Sequence, residues 1–275
     1  MENLHVDPAR VNAFFIEHGY AVVENLIPQT IIDDIYTFLL RQTGDAVDAA
    51  QQELQCGSTM ELVDIAGQIA AGHRGASALS ALSKTTRDTL TGHFPLAVRL
   101  SDKLWQIPLS AGALDILRAC LNSERIFMHM PPTARFVLAQ NNHAGVPPHQ
   151  DASYNGHMNA FMTMWVPLVD ITDECGGVIV YEGSGKSHVM DAPDSQNSYW
   201  RNPVETQNYS PKHIKIKARD VLLLNPNIIH GSAPNTSDRT RISIDFRIFG
   251  EQGSSLKHYL DLQTTRIFEP KTSVQ

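Results

Sequence analysis

The stretch RISIDFRIF at 241–249 alternates without a break, with Ile242, Ile244, Phe246 and Ile248 on one side and Arg241, Ser243, Asp245 and Arg247 on the other. A period of two over that length specifies a strand with one apolar and one polar face. It closes a series of short candidate strands at 125–130, 134–140, 160–168, 177–181, 213–217 and 220–224, each bounded by turn residues. Short strands and turns in that number argue for a sandwich or a barrel. The polar stretch 191–212 interrupts this β region, and a long insertion of that kind suits a lid over a site, although a plain surface loop fits it as well.

The N-terminal part reads differently. Asp7-Pro8 places an acidic cap before a proline at the first helical position, Val11, Phe14 and Phe15 recur at helical spacing, and Gly19 stops the helix. Tyr20 to Val23 is a short strand, and Ile31, Ile32, Ile35, Phe38 and Leu39 form the apolar stripe of a second helix. Ser110 to Leu121 reads as a further helix with Leu114, Leu117 and Leu121 inward, whereas 44–100 has only weak periodicity. The expectation is a mainly β chain with flanking helices, one domain over 1–275, helical to about 121 and β from about 125 to 250.

Composition removes several function classes. Hydrophobic residues at 42% and charged residues at 19% are an ordinary globular balance. The net charge of −7 argues against an electrostatic nucleic-acid partner. No apolar run approaches the roughly 20 residues that span a bilayer, and the acidic start MENLHVDPAR does not read as a signal peptide. Cys56, Cys120 and Cys175 are too scattered for a disulfide framework or a thiolate zinc site. A soluble, cytoplasmic protein acting on a small molecule is expected, with its oligomeric state open.

Among 12 histidines, the informative ones are His149, in PPHQDASYNGH, and His230, in NPNIIHGSAP. Residues i and i+2 of a strand share a side, so His149 and Asp151 can converge, and His230 can approach from another strand. Two imidazoles and one carboxylate are the ligand set of non-haem Fe(II) centres with open positions. A surface turn competes with that reading, because Pro147-Pro148 is ordinary turn chemistry. Arg241, if it faces inward, needs an anionic partner. A dicarboxylate cosubstrate, with Ser243 as an added donor, or simply Asp245 could supply one.

HQD at 149–151, GGVIVYEGSGKSH at 176–188, HGSAPNTSDRTRISIDFR at 230–247 and the opening FFIEHGYAVVENLIP together resemble the phytanoyl-CoA dioxygenase family. The resemblance implies a double-stranded β-helix, the cupin-like jelly roll, that uses Fe(II), 2-oxoglutarate and O₂ and releases succinate and CO₂. It puts His149, Asp151 and His230 on the iron, Arg241 on the cosubstrate carboxylate, and Thr163 in contact with the cosubstrate. Two departures stand out. The turn at Glu182–His188 differs from the family's usual one, and Arg247 has the parity to reach the pocket, although a salt bridge to Asp245 or Glu251 is the expected role.

Trp165, Tyr154, Asn155, His157 and Gln140 are further candidates for the pocket, while His143 and His188 read as surface or structural. The activity implied is oxidation, most simply hydroxylation, of an unactivated C–H of a small metabolite. A redox-neutral cupin-like lyase or isomerase and a non-catalytic binding jelly roll are the alternatives, neither of which needs Arg241. No run of Lys and Arg supplies the basic patch that a coenzyme A thioester would require, so a free small molecule of amino-acid or specialised metabolism is the expected substrate.

Overall fold

The computed structural model describes residues 7–74, 78–191 and 200–270. Helix α1 (Pro8–His18) starts where Asp7 accepts hydrogen bonds from the Ala9 and Arg10 amides and ends at Gly19, whose φ of 77° is left-handed. Strand β1 (Tyr20–Val23) follows, and α2 (Gln29–Leu54) buries Ile32, Ile35 and Leu39 but runs far beyond its apolar stripe. The weakly periodic region holds α3 (Thr59–Ala70), capped by Ser58, α4 (Lys84–Leu90), capped by Ser83, and the single turn α5 (Leu96–Arg99). After α6 (Gln106–Leu109) comes α7 (Ala111–Leu121), which buries Ala113, Ile116 and Leu117 and leaves Leu114 and Leu121 half-buried. Leu117 is inward as expected, Leu114 and Leu121 pack at the margin of the core, and Ala113 and Ile116 complete the buried face.

The β region comprises β2 (Phe127–His129), β3 (Thr133–Val137), the helical turn α8 (Asp151–Tyr154), β4 (Met158–Pro167), β5 (Cys175–Glu182), β6 (Ser210–Ile214), β7 (Val221–Leu224), β8 (His230–Asn235), β9 (Arg241–Ser255), β10 (Tyr259–Asp261) and β11 (Ile267–Phe268). An eight-stranded sheet runs β1-β7-β4-β9-β2-β10-β11, with β3 also on β9, and faces a three-stranded sheet β6-β5-β8. Every ladder is antiparallel. This is the expected jelly-roll arrangement. Strands β8, β10 and β11 carry few branched residues and were not expected. β6 claims 210–212 from the anticipated lid, and 192–199 of that segment lies outside the described residues.

The two faces of β9 divide the molecule. Ile242, Ile244, Phe246 and Ile248 are fully buried in one cluster with Val11, Ile32, Ile35 and Leu39 of α1 and α2. The helices thus cover the outside of the large sheet. A second apolar cluster between the sheets, including Trp165, Val178, Val180, Leu222 and Leu224, fills one end of the jelly roll. The polar face of β9 points into the other end. Phe246→Ala should cost about 3–5 kcal/mol of stability, because the neighbouring apolar side chains cannot fully close the void. Ile16→Ala, at a position 71% exposed, should stay within about 0.5 kcal/mol. Denaturant midpoints check both, and equal values would mean that the helical layer does not pack as a core.

Candidate active site

His149 and His230 meet through the backbone before their side chains do. They form an isolated antiparallel bridge in which each amide donates to the other's carbonyl at 2.9 Å. Asp151 reaches the same place from the first residue of α8, not from a strand. The ladder parity anticipated for the His-x-Asp spacing is replaced by a bridge followed by a helical turn. The ring centroids of the two histidines are 4.4 Å apart. His149 Nε2 lies 3.8 Å from Asp151 Oδ1, and His230 Nε2 lies 4.0 Å from Asp151 Oδ2. Ligand atoms of all three fall within 4.8 Å of one another, and all three residues are buried.

The remaining nitrogens are already engaged. His149 Nδ1 is 2.8 Å from the Pro147 carbonyl and His230 Nδ1 is 3.1 Å from the Ile228 carbonyl. Carbonyls only accept, so each Nδ1 carries a proton and Nε2 is left as the nitrogen that faces the centre. Burial pushes the His230 pKa down to about 4, with His149 adding to the effect and Asp151 opposing it. Burial alone would raise the Asp151 pKa, but the Arg247 guanidinium and the two imidazoles hold it well below the usual carboxylate range. An ionised carboxylate flanked by two imidazoles is a donor set that a divalent cation can use once the imidazoles release their protons.

Arg247 donates from Nη2 to Asp151 Oδ1 at 2.9 Å and from Nη1 to Thr133 Oγ1 at 3.1 Å. The expected bridge to Asp245 or Glu251 is not made. Thr163, across β4 from Arg247, donates its hydroxyl to Asp151 Oδ2. Its partner is thus the carboxylate of the cluster, where a cosubstrate contact was expected. These two donors take an oxygen each and fix the plane of the carboxylate.

Arg241 is 3% exposed. Its Nη1 donates to the Gly177 carbonyl at 3.3 Å, and among the described residues its Nε has no partner and no carboxylate lies within ion-pair distance of it. The Ser243 hydroxyl beside it is buried and equally unpartnered. Asp245 does not pair with Arg241 as one reading of the strand allowed. The approach of β5 depends on glycine. Gly177 has φ +103°, and a Cβ there would lie 2.3 Å from Ile171 Cγ2. An unpaired guanidinium and a free hydroxyl in one buried spot fit the distal carboxylate of a dicarboxylate such as 2-oxoglutarate.

A cavity of about 450 Å³ joins the cluster to Arg241. Trp165, Tyr154, Asn155 and His157 line it, as do Arg135, His93, His129, Trp200 and Lys257, which carried no motif in the sequence. Gln140 does not line it. Its amide donates to the carbonyls of Thr236 and Ser237. His143 and His188 are exposed. From the segment proposed as a lid, Arg201 stacks 4.9 Å over the Tyr154 ring and the Val204 amide donates to the Pro148 carbonyl at 2.9 Å. That part of the segment is packed onto the site.

Comparison with known proteins agrees with this geometry. The chain is similar to the 1-deoxypentalenic acid 11-β-hydroxylases of Streptomyces exfoliatus, 25% identical over 265 residues, and of Streptomyces arenae, 27% identical over 266 residues. Each alignment covers 88% of this chain and 81% of the relative. Among solved structures, the non-haem monooxygenase ThoJ superposes with a TM-score of 0.64 at 14% identity, over 98% of this chain and 90% of that one. The epimerase SnoN, in complex with Fe³⁺, α-ketoglutarate and nogalamycin RO, superposes with a TM-score of 0.60 at 16% identity, over 90% and 87%. The family model of phytanoyl-CoA dioxygenase matches residues 15–243, and the chain belongs to that family of Fe(II)- and 2-oxoglutarate-dependent oxygenases.

Proposed function

We propose that this protein hydroxylates an unactivated C–H of a small metabolite, with His149, Asp151 and His230 holding the ferrous ion and Arg241 and Ser243 holding the far carboxylate of 2-oxoglutarate. The observation that carries the reading is the pairing of a three-ligand cluster with a buried, unpartnered guanidinium across one cavity. When bound, the ferrous ion and 2-oxoglutarate supply activation of O₂ coupled to decarboxylation of the cosubstrate to succinate and CO₂. The protein's part is positional. The Pro147 and Ile228 carbonyls set the imidazole tautomers, and Arg247 and Thr163 hold the carboxylate ionised and oriented. Trp165 and the packed residues from Arg201 to Val204 limit water around the target C–H.

The hydroxylases named above, which share the family, support hydroxylation as the outcome. A redox-neutral lyase would leave Arg241 buried without purpose. The helical part to about 121 and the jelly roll from about 125 act as one domain in this reading, since β9 shares its core cluster with α1 and α2. Among the described residues no helix is long and apolar enough to cross a membrane. The three cysteines are unpaired, which supports a cytoplasmic setting.

Anaerobic addition of Fe(II) and 2-oxoglutarate should give the metal-to-ligand charge-transfer band, and His149→Ala or His230→Ala should remove it. A folded variant that keeps both the band and turnover would refute the ligand assignment. Arg241→Ala should raise the 2-oxoglutarate KM by on the order of 30- to 1,000-fold, with far less effect on the primary substrate. Arg247→Ala should instead weaken Fe(II) binding about 10- to 100-fold, read by anaerobic calorimetry, because Asp151 loses the cation that holds it. An Arg247 variant with unchanged metal affinity would reduce that ion pair to a packing contact.

A further inference from the structure

We infer that the primary substrate is an organic acid whose carboxylate is held by Arg135, an inference that rests on the oxygenase reading above and narrows it to a substrate class. The fold gathers Arg99, Arg135, Arg241, Arg247 and Lys257 around the cavity, against the carboxyls of Asp151 and Asp245. Their positions in the sequence are so far apart that no basic patch was expected, and the structure corrects that expectation. Arg247 answers Asp151, and Arg241 answers the cosubstrate. What remains is Arg99, Arg135 and Lys257 against Asp245, a surplus of positive charge facing the substrate's share of the cavity.

Arg135 is the strongest claimant within that surplus. It is 6% exposed, and no carboxylate lies within ion-pair distance of it among the described residues. Its Nη2 donates to the carbonyls of Thr91 and Ala144, and its buried Nε has no hydrogen-bond partner among the described residues. Asp245 is near enough to be felt but makes no ion pair, and its own pKa is raised by burial. Burial, with Arg241 adding to it, pushes the Arg135 pKa down to about 9, and Asp245 opposes the shift only in part. A guanidinium buried without an anion is costly to keep, and it becomes an asset only when an anion arrives.

On β3 Arg135 stands opposite Ser243, the next same-face pair along from Val137 and Arg241, and its remaining contacts distinguish it from the cosubstrate arginine. Its backbone bridges His93, and its guanidinium lies 4.8 Å from the Trp200 ring, which in turn is 5.4 Å from the His93 ring. His93 comes from the helical part and Trp200 from the segment before β6, so Arg135 sits where both meet the jelly roll. Burial and Arg135 itself hold the His93 pKa well below its usual value, which leaves that neighbour neutral. Trp200 and Leu96 give this end of the cavity apolar walls for a carbon skeleton. The cavity volume is at the small end of ligand sites, which suits a compact acid better than a coenzyme A thioester.

The test uses the full-length enzyme loaded anaerobically with Fe(II) and 2-oxoglutarate. It is titrated with cyclic and linear monocarboxylic acids, each beside its methyl ester and the phosphate monoester of the matching alcohol. Binding is read from the change in the charge-transfer band and from the melting temperature. Acids should perturb the band, and their esters should bind at least about 30-fold more weakly. Arg135→Met should weaken the acids by a similar factor while 2-oxoglutarate affinity moves by less than about 3-fold. Arg135→Lys, which retains a charge and guards against a folding defect, should recover part of the loss. The proposal is overturned if acids have no advantage over their esters or if phosphate monoesters outdo them. It also falls if both Arg135 variants lose 2-oxoglutarate as strongly as they lose acids. A wild-type protein that shows no charge-transfer band would sink the oxygenase reading itself, a distinct failure.

Discussion

The alternation on β9 is the constraint from which the rest of the molecule follows. One face carries branched and aromatic side chains that only a helical layer can cover, and α1 and α2 supply it. The other face carries Arg241, Ser243, Asp245 and Arg247, which a sandwich core would reject unless it enclosed a polar cavity. A one-residue slip would exchange the two faces and drive two arginines into the apolar layer, so the register is fixed by energy on both sides at once. Strands β3 and β4 inherit that register. Arg135 and Thr133 on β3, and Trp165 on β4, line the cavity because they stand opposite the polar positions of β9, and Thr163, opposite Arg247, reaches Asp151 beneath it.

Charge within the cavity is arranged in steps of increasing incompleteness. Arg247 and Asp151 form a closed pair at 2.9 Å. Arg241 has a carbonyl and an idle hydroxyl but no anion. Arg135 has two carbonyls and an aromatic face but no anion. The first arrangement is a finished structural unit, whereas the other two are finished only by something that binds. The distinction is physical. A closed pair contributes to the free protein, and an open one converts its burial cost into affinity.

Much of this was legible in the sequence, for identifiable reasons. The Asp7 cap, the Gly19 stop and the alternation on β9 are local signals that tertiary packing had no cause to override. The cluster of His149, Asp151 and His230 was legible through its motifs, although the geometry that joins them is a bridge and a helical turn. What stayed hidden depended on non-local contacts. Strand β8, with the sequence HGSAPN, is a strand because β5 pairs with it, not because of its own residues. The helices of 44–100 had weak periodicity, yet Ser58 with Glu61, and Ser83 with Thr86, are caps that could have placed their starts. The partner of Arg247 was missed because Asp151 lies 96 residues away in the chain, while Asp245 and Glu251 are its neighbours in sequence.

The charge of the whole chain and the charge of its cavity have opposite signs, and both have consequences. A net charge of −7 is spread over a surface where solvent and salt screen it. The arginines of the cavity act over a few ångströms in a site partly shielded from water, where the same charge counts for much more. Composition reports the first quantity and is silent on the second. An acidic protein can therefore attract an acidic ligand to its interior, provided that the fold collects its few cations at one point. Here the collection is done by strand register. Positions 135, 241 and 247 share one face of two paired strands, and that common face, not any run of basic residues, turns scattered arginines into an anion site.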